Sequence, residues 1–341
     1  MHGGSRPLPF PLEEPGCRLF ARARHGLWQA ARASGLQAGD EVLAPAFHHG
    51  SEIEALMGAG LVCRFYEATE SLAPDNRELE RLLTPRTRAL HLTHFLGFPQ
   101  DGPRWRRWCD DRGLLLIEDA AQSWLAGHAG RALGSDGDVT VYCLYKSFGL
   151  PDGAALLSRS TVPSPQGGRQ LGVRSLAIEH ALWLVTRSEL LSRAAERTPR
   201  AKRFLIRPDL ALGDPNSRPS AMTLLVLPRI ASMRAAERRR RNYRQLYAAR
   251  PDLVPRAFAD LPPGASPFVF PIESDDKRAV MRRLRSVGIR PLDLWPNPHP
   301  VLPRAEFPRA DALRRRIIGI PVHQELRGKD VARIVKVLRE L

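Results

Sequence analysis

An acid and a lysine, Asp119 and Lys146, stand at the ends of two apolar runs, where neither charge is cheap to bury. The first run, Leu114 to Ile117, has the length of a strand covered on both faces. It stops at Glu118 and Asp119 and is followed by small residues and Gln122. The second run, Val139 to Leu144, leads to Lys146, and a Pro-Asp-Gly turn precedes a third, Ala154 to Leu157. Opposite charges at the ends of neighbouring buried strands each need a partner. Pyridoxal phosphate (PLP) uses such a pair, with a lysine amine on its aldehyde and an acid at its pyridinium nitrogen.

IEDAAQ (117–122), GSDGD (134–138) and a lysine ahead of PDGAA (151–155) resemble the DegT/DnrJ/EryC1/StrS family, a likeness that extends over roughly residues 17 to 341. The resemblance implies an α/β, fold-type-I, aspartate-aminotransferase-like architecture. A large, mainly parallel sheet domain (1–245) would be followed by a smaller C-terminal α/β domain (246–341). It also implies a cytoplasmic, homodimeric, PLP-dependent enzyme of nucleotide-sugar and polysaccharide biosynthesis. Through a Schiff base on Lys146, such an enzyme passes an amino group from glutamate to a nucleotide-linked keto-sugar. Two alternatives stay open. One is a family-like protein that has lost catalysis and acts as a binding or scaffold partner. The other is a sugar dehydratase of the same family, although dehydratases replace the lysine with histidine.

The resemblance assigns roles residue by residue. Burial is expected to lower the pKa of Lys146 and free its amine, which could then carry the proton between substrate and cofactor carbons. Asp119 would keep the pyridine nitrogen protonated; it could also cap a helix. Gln122 would sit near the ring oxygen, while Glu118 points the other way by strand alternation and reads as structural. His49 falls where family members carry a ring-stacking aromatic, with His48 or Phe47 as substitutes. No metal is expected, because the His48-His49 pair lacks further ligands at suitable spacing. His94, in THFLG, matches the family's histidine after the third strand; it is assigned to substrate or lysine contact, with a satisfied core histidine as the alternative.

At the phosphate end the chain departs from the family. Arg22-Ala23-Arg24, then His25-Gly26, replace Ser-Gly-Thr before the first helix. A helix N-terminus is still an anion site, and Arg24 could add a bidentate contact. The serine-led segment before the lysine is shortened to Cys143-Leu144-Tyr145, with Cys143 in the serine's place. Asn216 and Arg218 resemble residues that reach a neighbouring subunit's active site. Trp295, Asn297 and His299 could line a sugar pocket or form a Pro-rich structural loop.

The elements that must position these groups follow from the order of the chain. After an irregular start (1–16), a helix is expected at 26–35, then strands at 41–44, 61–66 and 89–93. Helices near 52–57, 76–83 and 103–111 separate them. This alternation predicts a parallel sheet covered on both faces. Pro45 to His49, His94, Asp119 and Lys146 all fall at the carboxyl ends of strands, the edge where open α/β sheets bind ligands. Residues 159–220 read as a lid or insertion, with a helix-like stretch at 175–196. A long helix, 223–249, is interrupted near Pro228, and the C-terminal unit holds strands at 268–272, 289–292 and 317–321.

A net charge of +16 is spread along the whole chain, and the basic run Arg234 to Arg244 has helical composition without interleaved aromatics. That argues for a solvated helix face rather than nucleic-acid binding. No apolar run approaches a membrane span, and the N-terminus lacks a signal-peptide core. Four widely spaced cysteines suggest reduced cytosolic thiols.

Overall fold

The computed structural model describes residues 7–167 and 210–341; the stretch expected to be helical at 175–196 lies outside the described residues. Seven strands form the large sheet: β1 (Cys17–Phe20), β2 (Glu41–Pro45), β3 (Val62–Tyr66), β4 (Thr87–Thr93), β5 (Leu115–Asp119), β8 (Val139–Cys143) and β9 (Ala154–Ser158). Their order is β1-β9-β8-β5-β4-β2-β3. All run parallel except β9, which opposes both of its neighbours. A short hairpin, β6 (Gly127–His128) with β7 (Arg131–Ala132), interrupts the chain between β5 and β8.

Strand alternation sends successive side chains to opposite layers. Val42, Ala89 and Ile117 enter the core that also holds Phe20, Leu27 and Leu156. Leu43, Leu90 and Leu116 enter the other, which is continuous with the C-terminal unit through Phe270, Ile318 and Ile320. Helix α1 (Ala23–Ala33) packs on β8 and β9. Gly26 permits this approach: a Cβ there would lie 3.1 Å from Leu156 Cβ and 3.2 Å from the Phe20 ring. Helices α2 (Ser51–Gly58), α3 (Asn76–Leu82) and α4 (Gly102–Asp110) complete the layers, the last two N-capped by Asp75 and Asp101.

Lys146 sits on a single helical turn, α5 (Leu144–Ser147), at the end of β8. The helix expected across 223–249 is divided in two. It forms α6 (Ala221–Ile230), with Pro228 inside it, and α7 (Arg234–Ala249); Ala231, in extended backbone, marks the break. The C-terminal sheet has the order β10 (Val269–Glu273), β12 (Ile317–Pro321), β11 (Leu292–Asp293), all antiparallel. It is covered by α8 (Lys277–Ser286), α9 (Pro308–Arg316) and α10 (Gly328–Arg339). The strand expected at 289–292 shrinks to two residues: Ile289 is buried but does not pair. β1 escaped sequence reading because four residues with a central arginine carry no apolar run.

Candidate active site

Asp119 closes β5 beside Thr93, its register partner on β4. Alternation puts His91, Thr93 and Asp119 on one face of the sheet. Asp119 Oδ1 accepts a hydrogen bond from the Ala121 amide at 2.8 Å. Its Oδ2 lies 3.9 Å from His91 Nε2, and that nitrogen is buried without a hydrogen-bond partner. Burial pushes the Asp119 pKa up, while His91 and Lys146 pull it down.

Lys146 and Asp119 are within electrostatic reach of each other. The expectation that burial would leave Lys146 with a lowered pKa is not met. Burial does act in that direction, but Cys143, Tyr145, Asp119 and Glu52 outweigh it, and the net shift is upward. Near neutral pH the Tyr145 phenol is not ionised, because burial raises its pKa.

Glu52 was not visible as a site residue in the sequence. Its carboxylate accepts from the His49 amide at 2.9 Å and the Gly50 amide at 3.2 Å. Burial alone would raise its pKa, but His49, His48 and the backbone bring it down to about 2. Of the adjacent histidines, His48 turns inward and stacks on Phe65 with ring centroids 5.4 Å apart. Both of its ring nitrogens are buried without partners, and burial pushes its pKa down to about 3. His49 stays half-buried, with Nδ1 3.1 Å from the Ser51 hydroxyl.

One assignment changes. His94 does not face Asp119. Its Nε2 meets Glu118 Oε2 at 2.9 Å and its Nδ1 accepts from the Gln100 amide at 3.0 Å, so neither ring nitrogen is left for substrate. The reason is alternation: His94 and Glu118 lie on the face opposite Asp119. Glu118 also accepts from the amides of Asp136 and Gly137, which gives the GSDGD turn a structural purpose. Gln122 is buried, and its Oε1 accepts from the Leu96 amide at 3.1 Å, holding the loop after β4.

At the other end, Arg24 donates to the Ala211 carbonyl at 2.9 Å. His25 Nε2 lies 2.9 Å from the Leu212 carbonyl and must donate to it. Burial lowers the His25 pKa, so the neutral ring offers an anion only the lone pair of Nδ1. Cys143 is buried as the last residue of β8, opposite Ala154. Arg22, given no role of its own in the sequence, lies over the Tyr145 ring at 5.0 Å, between the start of α1 and the lysine turn.

The three assigned substrate residues also have local partners. Asn216 Oδ1 accepts from the Gln166 amide at 2.7 Å, and Arg218 donates to Pro165 and Gln166. His299 bonds Glu54 at 2.9 Å and the Val301 amide at 3.2 Å. A cavity of about 480 Å³ reaches Lys146 and is walled by Arg239, Phe268, Ile289, His323 and Leu326, among others. Its walls do not include Asp119, so it lies on the C-terminal side of the lysine rather than between lysine and acid.

Over 95% of its length the chain is 26% identical to the UDP-N-acetyl-3-dehydro-alpha-D-glucosamine 3-aminotransferase of Acidithiobacillus ferrooxidans, and it covers 83% of that protein. It is 25% identical to the dTDP-3-amino-3,4,6-trideoxy-alpha-D-glucose transaminase of Streptomyces venezuelae, covering 91% of this chain and 79% of the relative. The crystal structure of S. venezuelae DesV in complex with a ketimine intermediate superposes with a TM-score of 0.69 at 23% identity. The match covers 95% of this chain and 84% of that one. Residues 20–160 match the model of the DegT/DnrJ/EryC1/StrS aminotransferase family.

Members of this family depend on PLP. The matched segment runs from β1 to just past β9, and so contains Glu52, His91, Asp119 and Lys146. His91 carried one usable signal: it lies two residues before Thr93 on a strand whose end is in register with Asp119.

Proposed function

We propose that this chain is a PLP-dependent aminotransferase that moves an amino group, with glutamate as donor, onto a nucleotide-linked keto-sugar. The observation that carries the proposal is the pair of half-buried Lys146 and buried Asp119, in electrostatic reach at the carboxyl edge of the sheet. The residues fit the cofactor at both ends. Among the described residues Asp119 Oδ2 accepts no hydrogen bond, with His91 Nε2 3.9 Å away, which suits a carboxylate that receives the pyridinium N–H. At the phosphate end, α1 has neither a side-chain cap nor an acidic residue in its first turn, so its leading amides suit an anion. Arg22 supplies a positive charge beside them.

When bound, the cofactor supplies an electron sink for the carbanion formed at the substrate carbon. Lys146 would hold the aldehyde, and its amine would take and return the proton at the substrate carbon. Its raised pKa means that it must first lose a proton, which Cys143, Tyr145, Asp119 and Glu52 together oppose. Asp119 keeps the ring nitrogen protonated, and His91 backs the carboxylate. His49, on the loop anchored through Glu52, would stack on the cofactor ring. A homodimeric state, a cytosolic setting and roles for Asn216 and Arg218 across a subunit boundary belong to the same proposal.

The relatives carry enzyme names, which supports catalysis over a scaffold role. Incubation with PLP, glutamate and UDP- or dTDP-linked keto-sugars should release 2-oxoglutarate and an amino-sugar nucleotide. Cofactor uptake without transfer to any such acceptor would count against this substrate class.

A further inference from the structure

The lysine turn is held from outside the large sheet. α5 ends at Ser147, whose carbonyl is one of the acceptors that a helix C-terminus leaves unbonded within itself. Ser147 is buried, so water does not fill that need. Two side chains do. Arg239 Nη2, from α7, donates to the Ser147 carbonyl at 2.7 Å, and Gln324 Nε2, from the segment after β12, donates to it at 2.9 Å. The two are joined to each other by Arg239 Nε donating to Gln324 Oε1 at 2.8 Å, and Arg239 Nη1 reaches the Pro267 carbonyl at 3.4 Å. All of these contacts are buried.

A guanidinium is a costly choice for this position. Arg239 is 2% exposed and, among the described residues, its hydrogen-bond acceptors are carbonyl oxygens and one amide side chain, with Glu325 acting on it electrostatically but not hydrogen-bonded to it. Burying a charge without a carboxylate in direct contact is unfavourable. Its planar fork is what allows one side chain to bond Ser147, Gln324 and Pro267 at once. Arg239 also shares a cavity wall with Lys146. Any shift of the Ser147 carbonyl tilts the one-turn helix that aims the lysine.

We infer that Arg239 and Gln324 are positioning residues which fix the direction of Lys146 by jointly gripping the carbonyl of Ser147. The inference rests on the reading of Lys146 as the residue that holds PLP. Its test uses two variants, Arg239→Met and Gln324→Met, which keep side-chain length and remove the donors. PLP dissociation constants and the pH midpoint of the bound cofactor's absorbance are measured for each, along with thermal unfolding of the apo-protein. Loss of the grip should weaken PLP binding about tenfold or more and move the spectral midpoint. Arg239→Lys, with one donor group in place of the fork, should restore only part of the affinity. If both variants bind PLP with the wild-type constant and midpoint, the inference fails, even if they unfold at lower temperature. That outcome would leave a stability clamp only. Should Arg239→Met not fold, Gln324→Met decides alone, because Arg239 still supports the turn in that variant. If the unaltered protein never takes up PLP, both the inference and the proposed function fall; normal uptake with unaffected variants overturns the inference alone.

Discussion

His48 is a buried histidine kept neutral, and that makes a pH dependence predictable. Burial dominates its shift, with Glu52 opposing and Arg314, His299 and His91 reinforcing it, and its folded-state pKa falls from 6.5 to about 3. Between those values the unfolded chain binds the proton and the folded chain does not, so stability falls as pH drops from 6.5 towards 3. At pH 5 the loss is about 2 kcal/mol, taking 1.36 kcal/mol per unit. His48→Phe keeps the stacking on Phe65 and removes two unpartnered nitrogens. In urea unfolding, the variant should lose less stability than wild type between pH 7.5 and 5. An equal loss in both would show that His48 is not the responsible group.

The loops that join the layers carry the next constraint. Gly97, at φ +92°, follows His94, and a Cβ there would lie 2.0 Å from the Ser266 carbonyl. Its own carbonyl accepts from the Ser266 amide, and Leu96 accepts from Phe268, so this turn stitches the end of β4 to the entry of β10. Gly97→Ala combines a left-handed conformation with a backbone clash and should cost roughly 3 kcal/mol or more. A midpoint in denaturant unchanged from wild type would contradict this account of the turn. The strands were legible in the sequence because their apolar runs are short and sharply bounded, and the edge they share located Asp119 and Lys146. Alternation already set Glu118 apart from Asp119 in the sequence, but which of His91 and His94 shares the face of Asp119 needed the pairing of β4 with β5 in register. Arg239 and Gln324 were illegible for another reason: their partner, Ser147, lies 92 and 177 residues away in the chain.

The two sheets are not independent bodies. One apolar cluster runs from Leu90 and Leu116 to Phe270 and Ile318. Arg314, on α9, is 1% exposed and donates to the carbonyls of Ala46, His48 and Trp295 while lying over the Phe47 ring. Unfolding followed by far-ultraviolet circular dichroism and by tryptophan fluorescence should therefore give coincident transitions. Two separated midpoints would mean that the C-terminal unit melts by itself. No helix among the described residues is long and apolar enough to cross a membrane.

Whole-chain chemistry also offers a direct test of the central claim. The chain has only five lysines: Lys146, Lys202, Lys277, Lys329 and Lys336. Of these, Lys277 is buried, but it is committed to Asp293 and to the Arg314 carbonyl. The measurement is to load the protein with PLP, reduce with borohydride, digest, and locate the pyridoxyl mass by peptide sequencing. The label should appear on Lys146, in near-stoichiometric yield, and vanish in Lys146→Ala. A label on any other lysine, or none after saturation with PLP, would contradict the account.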